Sequence, residues 1–140
     1  MAIIDGSNLI LGRMSTIIAK RLLKGEAIQI VNAEKIVISG TKEDIVKKVK
    51  TKLNLQPKGN PMKGPKFSKM PDRIVKRAIR GMLPHKRERG KRALKNLRVY
   101  IGVPEKFEGE KFEKIVAAGN KLEKGFITVA ELSSYFGVRV

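Results

Sequence analysis

The amino-acid sequence predicts an α/β fold, because short apolar runs of strand type alternate with segments of helical periodicity. The strand-like runs are residues 2–5, 28–31, 36–39 and 98–101. Alternation of this kind is typical of βαβ units, in which helices connect parallel strands and pack on the sheet. No internal repeat or second domain is evident, so the 140 residues are expected to form one domain.

The first two elements are a strand and a helix. The run AIID at residues 2–5 leads into a segment in which Met14, Ile18 and Leu22 recur at helical spacing, and Gly25 follows as a C-terminal stop. The next two apolar runs are continuous rather than alternating. That pattern favours strands buried on both faces, as in a parallel sheet.

The second helix is predicted over residues 42–54, with Thr41 as its cap and an apolar face that includes Ile45 and Val49. For an isolated helix, the lysines on its other face are best explained as a solvated surface. Residues 55–71 hold four of the six prolines and show neither helical nor strand periodicity. We expect them to form a loop that becomes ordered when a partner binds.

The third helix is predicted over residues 73–82, opened by Pro71 and Asp72 and ended by Pro84. Its buried face consists of Ile74, Val75, Ala78, Ile79 and Met82, and its outward face of Arg73, Lys76, Arg77 and Arg80. A short helix at 90–97 and a strand at 98–101 follow. A weak helix is predicted over 109–119, and a capping box at Thr128 and Glu131 predicts a final helix carrying Leu132, Tyr135 and Phe136.

The net charge of +18 is concentrated in the middle of the chain. Residues 1–40 hold five basic and three acidic side chains, residues 41–98 hold twenty and four, and residues 99–140 hold six and six. The three segments therefore contribute +2, +16 and 0. Such localisation favours a polyanion-binding face, and it favours nucleic acid over an acidic protein or a membrane surface.

Several classes of function are disfavoured by composition. Without cysteine the chain has no disulfide, thiolate metal site or cysteine nucleophile, which fits a reducing cytoplasm. The longest run without a charged residue is seven, too short to span a membrane. Aromatic residues make up 5% of the chain and tryptophan is absent, so a base-stacking sheet is not expected.

Two motifs that could indicate chemistry do not match a catalytic pattern. GSNLILGR at residues 6–13 follows a strand, but its glycine spacing fits neither a Walker loop nor a dinucleotide fingerprint. Arg13 at its end remains a candidate phosphate contact. The single histidine, His85, has only Glu88 as a nearby carboxylate in sequence, so a phosphate contact or a packing role is favoured over general-base catalysis or metal binding. No cofactor and no small-molecule substrate are expected.

The stretch GMLPHKRERGKR at residues 81–92 is the most specific basic segment. A tight turn at Gly90 would place backbone N–H groups and several guanidinium groups against successive phosphates. Composition does not separate RNA from DNA. A structural nucleic-acid-binding protein, an RNA-processing enzyme and a DNA-compacting protein therefore remain open at this point.

IVNAEKIVISG at residues 30–40 and IRGMLPHKRERGKRALKNLRVYIGVPE at residues 79–105 closely resemble the ribosomal protein L13 (uL13) family, in its archaeal and eukaryotic branch. The resemblance implies a three-layer α/β/α domain with a central, mainly parallel four-stranded sheet. It further implies a single rRNA-binding domain over residues 1–140, with a basic region at about 55–92, in the large subunit of cytoplasmic ribosomes. The implied partners are large-subunit ribosomal RNA and neighbouring ribosomal proteins, with no catalysis.

The matching motif positions imply an RNA-contacting turn formed by Arg80, Gly81, Pro84, His85, Lys86, Arg89 and Gly90, with Arg13, Asn32 and Lys35 as neighbours. Together with the charge pattern, this gives the predicted RNA-binding set. Its members are Arg13, Lys35, Lys58, Lys66, Arg73, Arg77, Arg80, Gly81, His85, Lys86, Arg87, Arg89, Gly90, Lys91 and Arg92.

Overall fold

The computed structural model describes residues 1–138, which form five strands and five α-helices. The strands are β1 (Ala2–Asp5), β2 (Ile28–Val31), β3 (Val37–Ser39), β4 (Leu97–Val99) and β5 (Phe126–Thr128). The helices are α1 (Leu11–Leu23), α2 (Lys42–Leu53), α3 (Pro71–Met82), α4 (Glu88–Lys95) and α5 (Val129–Tyr135). The α/β class predicted from the sequence is therefore confirmed.

The central sheet has three parallel strands in the order β1-β2-β4 within residues 1–138. The four-stranded sheet implied by the family resemblance is not confirmed. Asn32 adopts a left-handed backbone conformation with φ of 54° directly after β2, where the chain turns away. As a result β3 pairs antiparallel with β5 instead of joining the sheet. Glu113 adds a single parallel bridge to Ile4 at the open edge of β1.

The two faces of the sheet are covered differently. Side chains such as Ile4, Ile30 and Leu97 lie in the main core with α1, α3 and α4. Ile3 and Val31, on the opposite face, pack with Phe107 in a short 3-10 turn. Among the described residues, the third layer of the predicted α/β/α arrangement is thus an irregular segment rather than a row of α-helices. The strands are only three or four residues long, so this face offers few apolar side chains to cover.

The predicted helices agree best with the structure where apolar residues recur clearly at helical spacing. In α3 the side chains of Val75 and Ile79 are fully buried, but Met82, predicted to be buried, is 44% exposed. The α4 helix begins at Glu88, two residues before its predicted start. The predicted weak helix over 109–119 is wrong, because this segment runs along β1 and contains only a 3-10 turn at Val116–Ala118.

Both predicted helix caps lie at the expected positions, but only one of them caps. The Thr128 Oγ1 accepts a hydrogen bond from the Glu131 N–H at 3.1 Å, which confirms the capping box that begins α5. The Thr41 hydroxyl instead donates to the Asp44 carboxylate at 2.7 Å. It therefore makes no capping bond to the α2 backbone.

The ends of β1 and β2 are joined through the Asp5 carboxylate. The Asn32 amide and the Ser7 hydroxyl both donate to Asp5 Oδ1, at 2.9 Å and 2.7 Å. Burial alone would raise the pKa of Asp5, but these hydrogen bonds outweigh it and the pKa is lowered from its ordinary value. Asn32, a predicted neighbour of the RNA-contacting turn, therefore has a structural role at the carboxyl ends of β1 and β2. None of the helices over residues 1–138 has the length and apolarity needed to cross a membrane.

Candidate nucleic-acid interface

The outward face of α3 forms one wall of a shallow basic groove. Arg73, Lys76, Arg77 and Arg80 recur at three- and four-residue spacing and so lie on one side of the helix. Lys66 and Ser68 approach from the preceding loop, and Leu94 of α4 lies at the other side. We call this depression the α3 groove. Among residues 1–138, five cationic side chains and no carboxylate line it.

Arg77 also connects the loop to α3. Its Nη1 donates to the Lys66 carbonyl at 3.0 Å, and its guanidinium lies 4.6 Å from the centre of the Phe67 ring. The hydrogen bond and the cation–π contact together fix the end of the 55–70 loop against the helix. Arg77, predicted as an RNA contact, therefore positions Lys66 at the groove in addition to contributing charge.

Residues 83–87, which we call the basic turn, directly follow α3 and are held by hydrogen bonds within the backbone. The Leu83 N–H donates to the Arg80 carbonyl at 3.2 Å, and the His85 N–H donates to the Leu83 carbonyl at 2.7 Å. Lys86 and Arg87 are exposed, whereas His85 is half-buried. The turn therefore presents two exposed cations next to an imidazole, a few residues after Arg80 of the α3 groove.

The two glycines of the motif have different roles. A Cβ added to Gly90 would lie 2.1 Å from the Pro84 carbonyl oxygen and 2.8 Å from the His85 backbone nitrogen, whereas a Cβ added to Gly81 would meet nothing within 4 Å. Gly90 is buried, and it allows α4 to pack directly on the turn. Gly90 therefore has a packing role in the fold, and its RNA contact stays a prediction.

Helix α4 distributes its basic residues over two flanks. Arg89 and Arg92 line a depression next to the C-terminal end of α1, away from the α3 groove. Lys91 precedes Leu94 by three residues and so lies on the flank that faces the α3 groove. Arg92 pairs with Glu88 at 3.0 Å, with both side chains about four-fifths exposed. Such a pair contributes little stability, so Arg92 remains available to a partner.

Three further predicted residues lie outside the α3 groove. Arg13 lies one turn before Thr16, whose hydroxyl contacts the Met82 sulfur at 3.6 Å, so this face of α1 adjoins the end of α3. Lys35 and Lys58 are exposed, but neither lines a depression with the other basic residues. Their RNA contacts stay predictions.

Sequence reasoning left two well-placed lysines out of the site. Lys76 lies in the α3 groove between Arg73 and Arg80, and its spacing of three and four residues from them was a readable signal. Lys20 follows Thr16 by four residues and shares the face of α1 that adjoins α3. The position of Lys20 beside α3 is visible only from the contact between α1 and α3.

Few of the cations are neutralised by the protein itself. Over residues 1–138, the basic side chains paired with a carboxylate are Arg21, Lys42 and Arg92. Arg21 bridges Glu26 and Glu113, and the hydrogen bonds that it donates to Glu113 and Glu26 raise the pKa of its guanidinium. The lining of the α3 groove has no such partner in the described chain, so its charge is available to an external anion.

His85 lacks the surroundings of a catalytic base. Among the described residues, no carboxylate accepts a hydrogen bond from its imidazole, and no group of three or more His, Cys, Asp or Glu side chains is arranged to hold a metal. The histidine instead lines the depression of the basic turn with Lys86 and Arg87.

A family model, described as Ribosomal protein L13, matches residues 1–106 of the chain. The chain belongs to the ribosomal protein L13 family. Similar L13 family members occur in archaea, as the sequence predicted. A protein of Archaeoglobus fulgidus named "Large ribosomal subunit protein uL13" is 49% identical and covers 98% of this chain and 88% of the relative. A relative of the same name in Picrophilus torridus is 49% identical and covers 98% of this chain and 97% of the relative. Another in Methanocaldococcus jannaschii is 42% identical and covers 99% of each chain.

Proposed function

We propose that this L13 family chain is a structural constituent of the large subunit of cytoplasmic ribosomes, and that it binds large-subunit rRNA through the α3 groove and the adjoining turn. Its relatives carry the name of a large-subunit protein, and the family is one of ribosomal proteins rather than enzymes. The whole chain acts as one rRNA-binding unit, and its basic segment over about 55–92 carries the contacts.

The observation that carries the proposal is the convergence of cations that the described chain does not neutralise. Residues 41–98 contribute +16 of the net charge of +18, and the α3 groove gathers five of their cations with no carboxylate among them. Like charges held this close repel one another unless a polyanion neutralises them. Binding to phosphates releases condensed counterions, which makes the affinity strongly dependent on salt.

The distribution of the charge favours folded RNA as that polyanion. Basic side chains line three separate depressions, namely the α3 groove, the depression of the basic turn, and the one that Arg89 and Arg92 line beside the end of α1. A folded RNA can bring several backbone segments to separate sites, whereas a straight duplex presents one continuous surface. The narrow major groove of A-form RNA hides base edges, so recognition should depend mainly on phosphate positions and on unpaired nucleotides.

Neighbouring ribosomal proteins are the second class of partner that we propose. Residues 99–140 carry no net charge, and exposed apolar side chains there include Val116 at 86% and Tyr135 at 55%. A neutral surface with exposed apolar side chains suits protein contact better than phosphate contact.

The proposal is tested by removing charge from the α3 groove. A variant with Lys66, Arg73, Lys76 and Arg80 changed to glutamine keeps the Lys66 carbonyl to which Arg77 donates. A matched control changes four lysines of the neutral segment to glutamine, namely Lys106, Lys111, Lys121 and Lys124. Binding of each protein to transcribed large-subunit rRNA is measured by filter retention over a range of KCl concentrations.

The groove variant should bind rRNA far more weakly, and the slope of log K against log salt should fall by roughly 0.7 to 0.9 for each phosphate that the protein no longer neutralises. The control removes the same charge and should behave nearly as the unmodified protein. Equally weakened binding in the two variants would show that net charge, rather than this surface, determines affinity. Metal-dependent RNA cleavage abolished by His85→Ala would instead indicate an enzyme, and stronger binding to duplex DNA than to rRNA would indicate DNA compaction.

A further inference from the structure

An apolar pocket of about 300 Å³ lies directly beside the α3 groove, between α2, α3 and α5. Ser68 and Arg77 line both depressions and so form the wall between them. The pocket interior is mainly apolar and contains two aromatic rings. Its apolar lining consists of Val49, Leu53, Phe67, Ile74, Ala78, Leu132 and Phe136.

We propose that this pocket receives an unstacked nucleobase of the rRNA strand whose phosphates occupy the α3 groove. The inference rests on the proposed rRNA-binding function and adds a specific contact to it. Unpaired bases of single-stranded RNA commonly stack on aromatic side chains of proteins, and the proposal places one such contact in this pocket.

The chemistry of the pocket rim selects a nucleotide over other apolar ligands. Lys52, Lys69 and Arg77 line the pocket together with the apolar side chains, and no acidic residue of the described part of the chain does. An aliphatic side chain of a neighbouring protein would fill the interior but supply no anion to the three cations at the rim. A nucleotide complements both parts, because its base is flat and largely apolar on its faces while its phosphate is anionic.

Helix α2 supplies a reason for the pocket to be occupied. No residue of α2 is fully buried, and its inner side chains Val49 and Leu53 are only partly covered. The helix therefore presents apolar surface towards α3 and α5 without close packing. A base inserted between them would cover that surface and attach α2 to the rest of the fold.

The low aromatic content is compatible with this contact. A base-stacking sheet needs several exposed rings, which this chain lacks. A pocket for one base needs only one correctly placed ring. Phe67 meets this condition because the Arg77 guanidinium, 4.6 Å from the ring centre, holds the ring in place at the pocket wall.

A tryptophan introduced by Phe67→Trp would be the only one in the chain and reports directly on the pocket. Its fluorescence should be quenched by transcribed large-subunit rRNA and by single-stranded poly(A). A fully paired RNA duplex, added until the same fraction of protein is bound, should quench it much less because its bases are not free. Equal quenching by the duplex would overturn the proposal, because a duplex has no free base and the quenching could not then come from stacking.

Filling the pocket provides a second, independent measurement. Ala78→Leu places a branched side chain in the pocket, and Ala130→Leu makes the same change on α5 at a surface outside it. Ala78→Leu should weaken rRNA binding by about 5- to 160-fold, the range that stacking of one base contributes, without changing the salt slope. Ala130→Leu should bind as the unmodified protein does.

The outcomes separate the pocket from the proposed function. If the unmodified protein fails to bind rRNA, the proposed function itself is wrong. If it binds rRNA and Ala78→Leu binds equally well, only the nucleobase pocket is wrong. Ala78→Leu could also bind rRNA normally but be poorly incorporated into reconstituted large subunits. That result would refute the nucleobase as the occupant of the pocket and would indicate a neighbouring protein instead.

Discussion

Substitution of Gly90 by alanine should destabilise the free protein because the added methyl group would overlap the backbone of the preceding turn. The Cβ would lie 2.1 Å from the Pro84 carbonyl oxygen and 2.3 Å from the Pro84 carbonyl carbon. Ordinary contact begins near 3.4 Å, so α4 and the turn would have to separate by about 1.3 Å. No side-chain rotation can relieve the overlap, since the contacted atoms belong to the main chain.

The size of the effect follows from the cost of overpacking a tightly packed contact. Such insertions typically cost about 1–3 kcal/mol, and a clash with main-chain atoms is expected at the upper end, at about 3 kcal/mol. For a chain of 140 residues this corresponds to a drop in Tm of roughly 10 °C. Thermal unfolding followed by circular dichroism without RNA measures it.

Gly81→Ala is the matched control within the same motif. Gly81 lies in α3, is exposed, and has open space where its Cβ would be. Alanine there should stabilise the protein by up to about 0.5 kcal/mol through its higher helix propensity. If Gly90→Ala unfolds within about 2 °C of the unmodified protein, or if both variants shift Tm equally, the packing role of Gly90 is refuted.

Two further predictions concern Asp5 and Arg77. The hydrogen bonds that lower the pKa of Asp5 contribute stability above its ordinary value of 3.8, and this contribution disappears as pH falls through the folded-state pKa. Asp5→Asn should therefore be less stable than the unmodified protein in urea unfolding at pH 7. The difference in free energy of unfolding between the two proteins should become smaller near pH 3. A difference that does not change with pH would contradict this. Arg77→Lys keeps the charge but cannot make the paired contacts to Lys66 and Phe67, so thermolysin should cleave the 55–70 loop faster. Arg73→Lys, on the same helix face, should leave the cleavage rate unchanged, and similar rates in the two variants would refute the role of Arg77.

Local signals in the sequence were sufficient for much of the helical structure and for the concentration of charge. In α3 the apolar residues recur at helical spacing, so Val75 and Ile79 point inward and Arg73 and Arg80 point outward wherever the helix packs. The weak periodicity of residues 109–119 was misleading, because pairing of Glu113 with β1 outweighs a marginal helix propensity. Membership of the L13 family was also readable from local motifs.

The sequence by itself determined where the positive charge lies along the chain, the approximate positions of the five α-helices and of four of the five strands, and the family. Only the tertiary structure decided that Gly90 is a packing residue, that Arg89 lines a depression beside the end of α1, and that Lys35 and Lys58 do not line the α3 groove. Helical and strand periods are properties of neighbouring residues, so they can be read from a single chain. Grooves, close backbone approaches and the pairing of β3 with β5 depend on segments distant in sequence, and no local pattern records which of them meet.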